Sequence, residues 1–137
     1  MISDKSLAYA LLRLTLGVNI FMHGFVRLFG DYKGFVTKVI EDFHDTFLPD
    51  QAMHMLALTL PPIELIIGLM IIIGLWTRWS VAAGALVMIV LIIGQTTLMN
   101  WEIVSVQMIY SLTYFLVLFH RAHDTYSLDG WLTLRNR

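Results

Sequence analysis

Thr15, Asn19, His23 and Arg27 recur at intervals of four within one long apolar stretch. That spacing stacks them on one slowly drifting helical face, so a hydroxyl, a carboxamide, an imidazole and a guanidinium share a stripe. Glu64 stands in a second apolar stretch, Gln95 in a third, and Gln107, Tyr110, Ser111 and Tyr114 in a fourth. Polar and ionisable side chains inside a membrane cost a few kcal/mol each on insertion scales, so they face the bundle and need a partner or a ligand. Two kinds of chemistry are open to this set: hydrogen bonding to a quinone carbonyl, and proton handling at Glu64 or His23. Glu64 is equally suited to protonation or to pairing with Arg13 or His23. A lone intramembrane histidine also serves as a hydrogen-bonding link between helices.

Other chemistries are poorly supplied. With no cysteine, the chain offers no disulfide, iron–sulfur ligation or thiol exchange. The run His120, His123, Asp124 is a weak metal pattern without further ligands, and no metal is expected. His23 and His54 could face each other as haem ligands only if brought to one depth. No nucleophilic triad, phosphate loop or zinc signature is present. A net charge of −1 gives no basic excess for nucleic acid.

Positioning these groups falls to the apolar segments. Of 137 residues, 58% are hydrophobic and 14% charged, with a mean hydropathy of +0.73. A soluble domain is about half apolar and a quarter charged, so the composition indicates a membrane protein. Spanning helices need about 20 mostly apolar residues. Four segments qualify, over 7–29, 55–76, 79–99 and 103–120, with the last able to begin at Trp101. The expected fold is all-α, a single antiparallel bundle of four transmembrane helices. Thr77 and Arg78 form the turn between the second and third segments, and Asn100, Trp101 and Glu102 the next. Pro61 and Pro62 start or kink the second helix and free backbone carbonyls. Trp76, Trp79, Trp101 and Tyr126 sit at helix ends, as interfacial aromatics do. The first segment is too long and polar for a cleaved signal peptide.

Between the first two spans, Phe35, Val36, Val39, Ile40, Phe43 and Phe47 recur at helical spacing among charged residues. They predict an amphipathic helix over about 34–47, stopped by Pro49, that lies in the interface or caps the bundle. The tail from Arg121 is expected along the membrane surface. Lys5, Arg78, Arg121, Arg135 and Arg137 flank the end that holds the termini; Arg27, Lys33 and Lys38 flank the other. The bias places both termini in the cytoplasm, with Arg13 snorkelling near that side. At 1.5 Å per residue, Glu64 lies roughly 18 Å from the cytoplasmic end, level with Asn19 and one turn short of His23. Asn19, His23, Glu64, Gln95, Gln107 and Tyr110 then form a candidate ligand layer in the outer leaflet, with Arg13, Arg27 and Arg78 in structural roles.

Leu12-Arg13-Leu14-Thr15-Leu16-Gly17 and His23-Gly24-Phe25-Val26-Arg27-Leu28-Phe29-Gly30 resemble the first helix of DoxX/DoxD-like membrane proteins. Ile63-Glu64-Leu65-Ile66-Ile67-Gly68, then Gly74-Leu75-Trp76-Thr77-Arg78, resemble the second, and the likeness runs over about 7–120. Arg27 stands where that pattern commonly has lysine. The resemblance implies a four-helix membrane fold in a prokaryotic inner membrane and an association with membrane redox systems, through the thiosulfate:quinone link of DoxD-type proteins. The leading expectation is a small accessory subunit of a membrane electron-transfer or oxidoreductase complex, not catalytic alone. It would contact lipid and other membrane subunits or its own copies, carry no tightly held cofactor, and contribute to a quinone site. A stand-alone or oligomeric transporter or small-solute binder is the second reading, and a purely structural subunit the third. The transporter reading lacks an inverted repeat or a broken-helix pair.

Overall fold

The computed structural model describes residues 3–135, and every regular element among them is helical. Helix α1 spans Asp4–Phe29, α2 Tyr32–Phe43, α3 Asp50–Ile73, α4 Thr77–Thr97 and α5 Trp101–Phe119. A 3-10 turn at Arg121–His123 leads to α6, Leu128–Arg135. Helices α1, α3, α4 and α5 are long and apolar enough to cross a membrane. Short connections make chain neighbours antiparallel. The four close into a ring in the order α1, α3, α4, α5. Leu16, Ile20, Ile67, Ile71, Val81, Met88, Tyr114 and Val117 fill its centre. Large apolar side chains such as Leu11, Val18, Ile66, Leu86, Ile109 and Phe115 point outward, as they must where the solvent is lipid.

Small residues set the tightest seam, between α1 and α3. A Cβ on Gly68 would collide with the backbone of Phe21, and one on Gly24 with the Pro61 carbonyl and the Leu65 amide. Gly17 lies against Ile72 in the same way. These contacts fix the antiparallel register. Phe21 is opposite Gly68 and Gly24 opposite Leu65, so Glu64 is level with Phe25 rather than Asn19. The expected depth is thus wrong by six residues, about 9 Å of helix. The cause is that α1 and α3 do not end together: the first turns of α1 run past Ile73 and lie beside the end of α5 and the 3-10 turn.

The helix boundaries differ from expectation at each proline and turn. The second span begins at Asp50, not residue 55, and passes through Pro61 and Pro62 without a break. Proline has no N–H to return to the carbonyl four residues back. Opposite Pro62, that carbonyl belongs to Leu58, and the Tyr32 hydroxyl of α2 donates to it at 2.6 Å. Helix α2 therefore repairs the gap as well as capping the bundle. It starts at Tyr32 because the Asp31 carboxylate accepts from the Gly34 N–H at 2.9 Å, an N-cap. It ends at Phe43, six residues before Pro49. Phe43 is buried against Gly94 of α4. Phe47 falls beyond the helix and is exposed.

Thr77 and Arg78 are already helical, so the α3–α4 turn is Gly74-Leu75-Trp76. Gly74 has φ +68° and packs against Ser127 and Arg13, so its position excludes a side chain twice over. Trp76 is left-handed at φ 47°. Asp129 of α6 supports it, its carboxylate accepting from the Trp76 N–H at 2.9 Å and the Thr77 N–H at 2.7 Å. Asp129 N–H also donates to the Gly74 carbonyl. The tail thus docks onto this turn and caps α4. Trp101 likewise begins α5, leaving Leu98-Met99-Asn100 as the last turn. Arg137, used in the charge count, lies outside the described residues.

Candidate functional site

Helix α1 carries the site. A groove of about 820 Å³ runs along its outer flank, between the ridge Leu14, Val18, Met22, Val26 and the polar stripe Thr15, Asn19, His23, Arg27. The stripe is where four-residue spacing placed it. Its members are not equally available. The Thr15 hydroxyl donates to its own helix at Leu11. Asn19 Nδ2 donates to the Tyr110 hydroxyl of α5 at 3.4 Å, and its buried Oδ1 has no partner. His23 is exposed in the groove and stands edge-on to the Tyr110 ring, with centroids 6.4 Å apart. Asn19, His23 and Tyr110 therefore form one cluster across the α1–α5 seam.

Arg27 closes the stripe at the last turn of α1. Its Nη1 donates to both Glu64 oxygens, at 2.7 and 2.6 Å. Glu64 is buried, while Arg27 keeps 28% of its side chain exposed. The guanidinium also sits 4.9 Å above the Phe35 ring of α2, a cation–π contact. Against the expectation of protonation or a pair with Arg13 or His23, the partner of Glu64 is Arg27. The register puts Arg27 within reach and takes Arg13 to the opposite end of the seam.

Arg13 does not snorkel. It is 2% exposed and turned inward. Its Nη1 donates to the carbonyls of Ile71 and Ile72, the latter at 2.8 Å, and its Nη2 to Tyr126 at 2.6 Å. The Ile72 carbonyl is one that the end of α3 leaves without a backbone partner, while the Ile71 carbonyl also accepts from the Gly74 N–H at 3.3 Å. Asp124 lies 3.7 Å from Arg13 Nε, so its carboxylate turns to Arg13 rather than joining His120 and His123. Arg78 is exposed and stacks over Trp79, 5.2 Å from the ring centroid.

Gln95 and Gln107 make no hydrogen bond to the α1 stripe. Each has a buried Oε1 without a partner. Tyr114, on the face read from Gln107, is in the core against Gly84, and the Ser111 hydroxyl bonds its own helix at Gln107. The hydrogen bonds thus fall into an Asn19–Tyr110 contact between α1 and α5 and an Arg27–Glu64 ion pair between α1 and α3, and neither glutamine side chain bonds to either. Sequence reasoning missed Tyr32 and Asp129, whose partners are backbone groups and leave no side-chain pattern.

Residues 8–99 match the DoxX family, covering α1 through α4 and including Arg13, His23, Arg27, Glu64 and Arg78. The chain belongs to the DoxX family. It is a small, multi-pass integral membrane protein. The match stops short of the 120 read from sequence, so Tyr110 and the rest of α5 lie outside the span that defines this DoxX protein as a member. No curated protein and no solved structure matches the chain.

Proposed function

We propose that this DoxX protein is an accessory subunit of a membrane electron-transfer or oxidoreductase assembly, and that the α1 groove receives a quinone head group. One observation carries the reading: a groove on the outer flank of a spanning helix, apolar along one ridge and lined along the other by Asn19, His23 and Arg27. An isoprenoid quinone needs that combination, an apolar track for the tail and a few placed donors for two ring carbonyls. His23 and Asn19 supply the donors, and Tyr110 orients both. Arg27, held by Glu64, sets the local charge without being free to move. The chain has no thiol, so electrons would pass through a partner's centres.

The proposal is tested with the tagged protein taken from its native membrane in mild detergent and labelled with a photoreactive ubiquinone analogue. Label should map to α1. His23→Ala and Asn19→Leu should each weaken labelling about tenfold, the worth of one hydrogen bond, with the native mass of the particle unchanged. Absence of α1 labelling in the parent protein rejects the site. Recovery as a bare monomer or homo-oligomer rejects the subunit assignment and favours transport or small-solute binding. The mutual satisfaction of Arg27 and Glu64 supports a purely structural subunit, the reading left if a large particle carries no label.

The same proposal places the protein in a prokaryotic inner membrane with its termini in the cytoplasm. Lys5, Arg78 and Arg121 flank the terminal end, against Lys33 and Lys38 beyond it, once Arg13 and Arg27 are set aside as internally bonded. A C-terminal green fluorescent protein fusion should therefore glow in a bacterial host, and a dark one reverses the orientation.

A further inference from the structure

A second cavity, of about 490 Å³, opens where the start of α1 lies beside the end of α5. Lys5 and Tyr9 line it from one side and His120 and His123 from the other, with Leu12 and Leu116 deeper along the two helices. Lys5, Tyr9 and Leu12 share one face of α1 at helical spacing, and Leu116 and His120 share one face of α5. The cavity thus carries the Lys5 cation and two imidazoles at its rim and is apolar toward the membrane interior. Lys5 has no ion pair among the described residues. His120 Nδ1 donates to the Leu116 carbonyl at 2.9 Å, so its Nε2 donates to an anion only as the imidazolium. Asp124 also acts on Tyr9, with Arg13 as its counter-ion 3.7 Å away and Arg121 as a second cation nearby.

Tyr9 supplies an independent observation. It is 3% exposed, its ring is packed in the core, and its hydroxyl is buried with no hydrogen-bond partner. A buried unpaired hydroxyl costs about 1–3 kcal/mol. A phosphate oxygen entering the cavity would give that hydroxyl an acceptor while Lys5 neutralises charge at the rim. The place in the fold agrees, since the first turns of α1 run past the end of α3 toward the headgroup region. From this geometry we propose that the α1–α5 cavity binds the phosphate of an anionic phospholipid, with its acyl chains running down past Leu12 and Leu116. This site is separate from the α1 groove, and neither proposal depends on the other.

The test is native mass spectrometry of the intact protein released from nanodiscs of equal phosphatidylglycerol and phosphatidylcholine. The protein should retain phosphatidylglycerol preferentially. Lys5→Gln should cut that preference about fivefold, the worth of one cation near an anionic surface. Adding His120→Gln should bring it close to parity. Tyr9→Phe keeps the ring and its packing, so reduced retention in that variant reports the hydroxyl itself. Arg78→Gln, a cation outside the cavity, should leave the preference unchanged. No preference in the parent protein overturns the proposal. So does a preference that Arg78→Gln lowers as much as Lys5→Gln, which would be general surface charge. Displacement of the lipid by inorganic phosphate alone assigns the site to a soluble phosphate and overturns the lipid assignment.

Discussion

Arg13→Leu is expected to lower stability by about 3–5 kcal/mol, the usual cost of removing one partner of a buried ionic network. Arg13 ties three parts of the chain together. Its guanidinium takes the Ile71 and Ile72 carbonyls at the end of α3 and the Tyr126 carbonyl of the tail, and it faces Asp124. Leucine would leave the Ile72 and Tyr126 carbonyls and a mostly buried carboxylate without the guanidinium, and the Ile71 carbonyl with only the Gly74 N–H at 3.3 Å. The tail should then loosen from the α3–α4 turn, weakening the Asp129 cap on α4. Arg13→Lys should retain only part of the stability, because one ammonium cannot reach donors' positions on both sides of the guanidinium fork. Arg13→Leu with Asp124→Asn should recover part of the loss by removing the stranded charge. Denaturant unfolding in detergent, followed by tryptophan fluorescence, measures all three. Parent-like unfolding of Arg13→Leu would show that the network contributes nothing to the fold.

This residue also shows where sequence reading stops. That Arg13 belongs to a spanning helix was legible, because apolar runs of about 20 residues dictate helices in lipid. The four spans, their antiparallel order and the amphipathic α2 followed from the same rule. What Arg13 touches was not legible, because its partners are backbone carbonyls and only the three-dimensional path of α3 and the tail presents them. The same holds for Tyr32 at the carbonyl freed by Pro62, and for Asp129 at the start of α4. Register was the other gap. Aligning segment ends at the membrane surface assumes that all helices end together, whereas contacts at Gly24 and Gly68 slide α1 along α3. The stripe on α1 survived this shift because it is internal to one helix. Which of the six expected layer residues bond to one another was not legible, because that depends on the relative depths of four helices; Asn19 meets Tyr110 and Glu64 meets Arg27.

The second large effect is at the ion pair. Glu64→Leu should cost about 2–4 kcal/mol, somewhat below the fully buried value because Arg27 retains 28% exposure. The loss comes from stranding the guanidinium over the Phe35 ring rather than from the attraction alone. Arg27→Met should cost as much or more, since it leaves the buried Glu64 carboxylate with no donor. The double variant Glu64→Leu with Arg27→Met removes both charges together and should return most of the stability, as apolar replacements of buried ion pairs commonly do. Unfolding of the four proteins gives a double-mutant cycle, with an expected coupling of about 1–3 kcal/mol. Additive losses would mean that the pair is not coupled. Quinone photolabelling of the same proteins separates the pair's two possible duties. If the pair only joins α1 to α3, the double variant regains labelling along with its fold. If its charge polarises the His23 end of the groove, the double variant folds but labels poorly. The groove proposal expects the second result, because Arg27 lines the groove and also binds Glu64, so removing the pair changes the field at the head group even when the helices stay together.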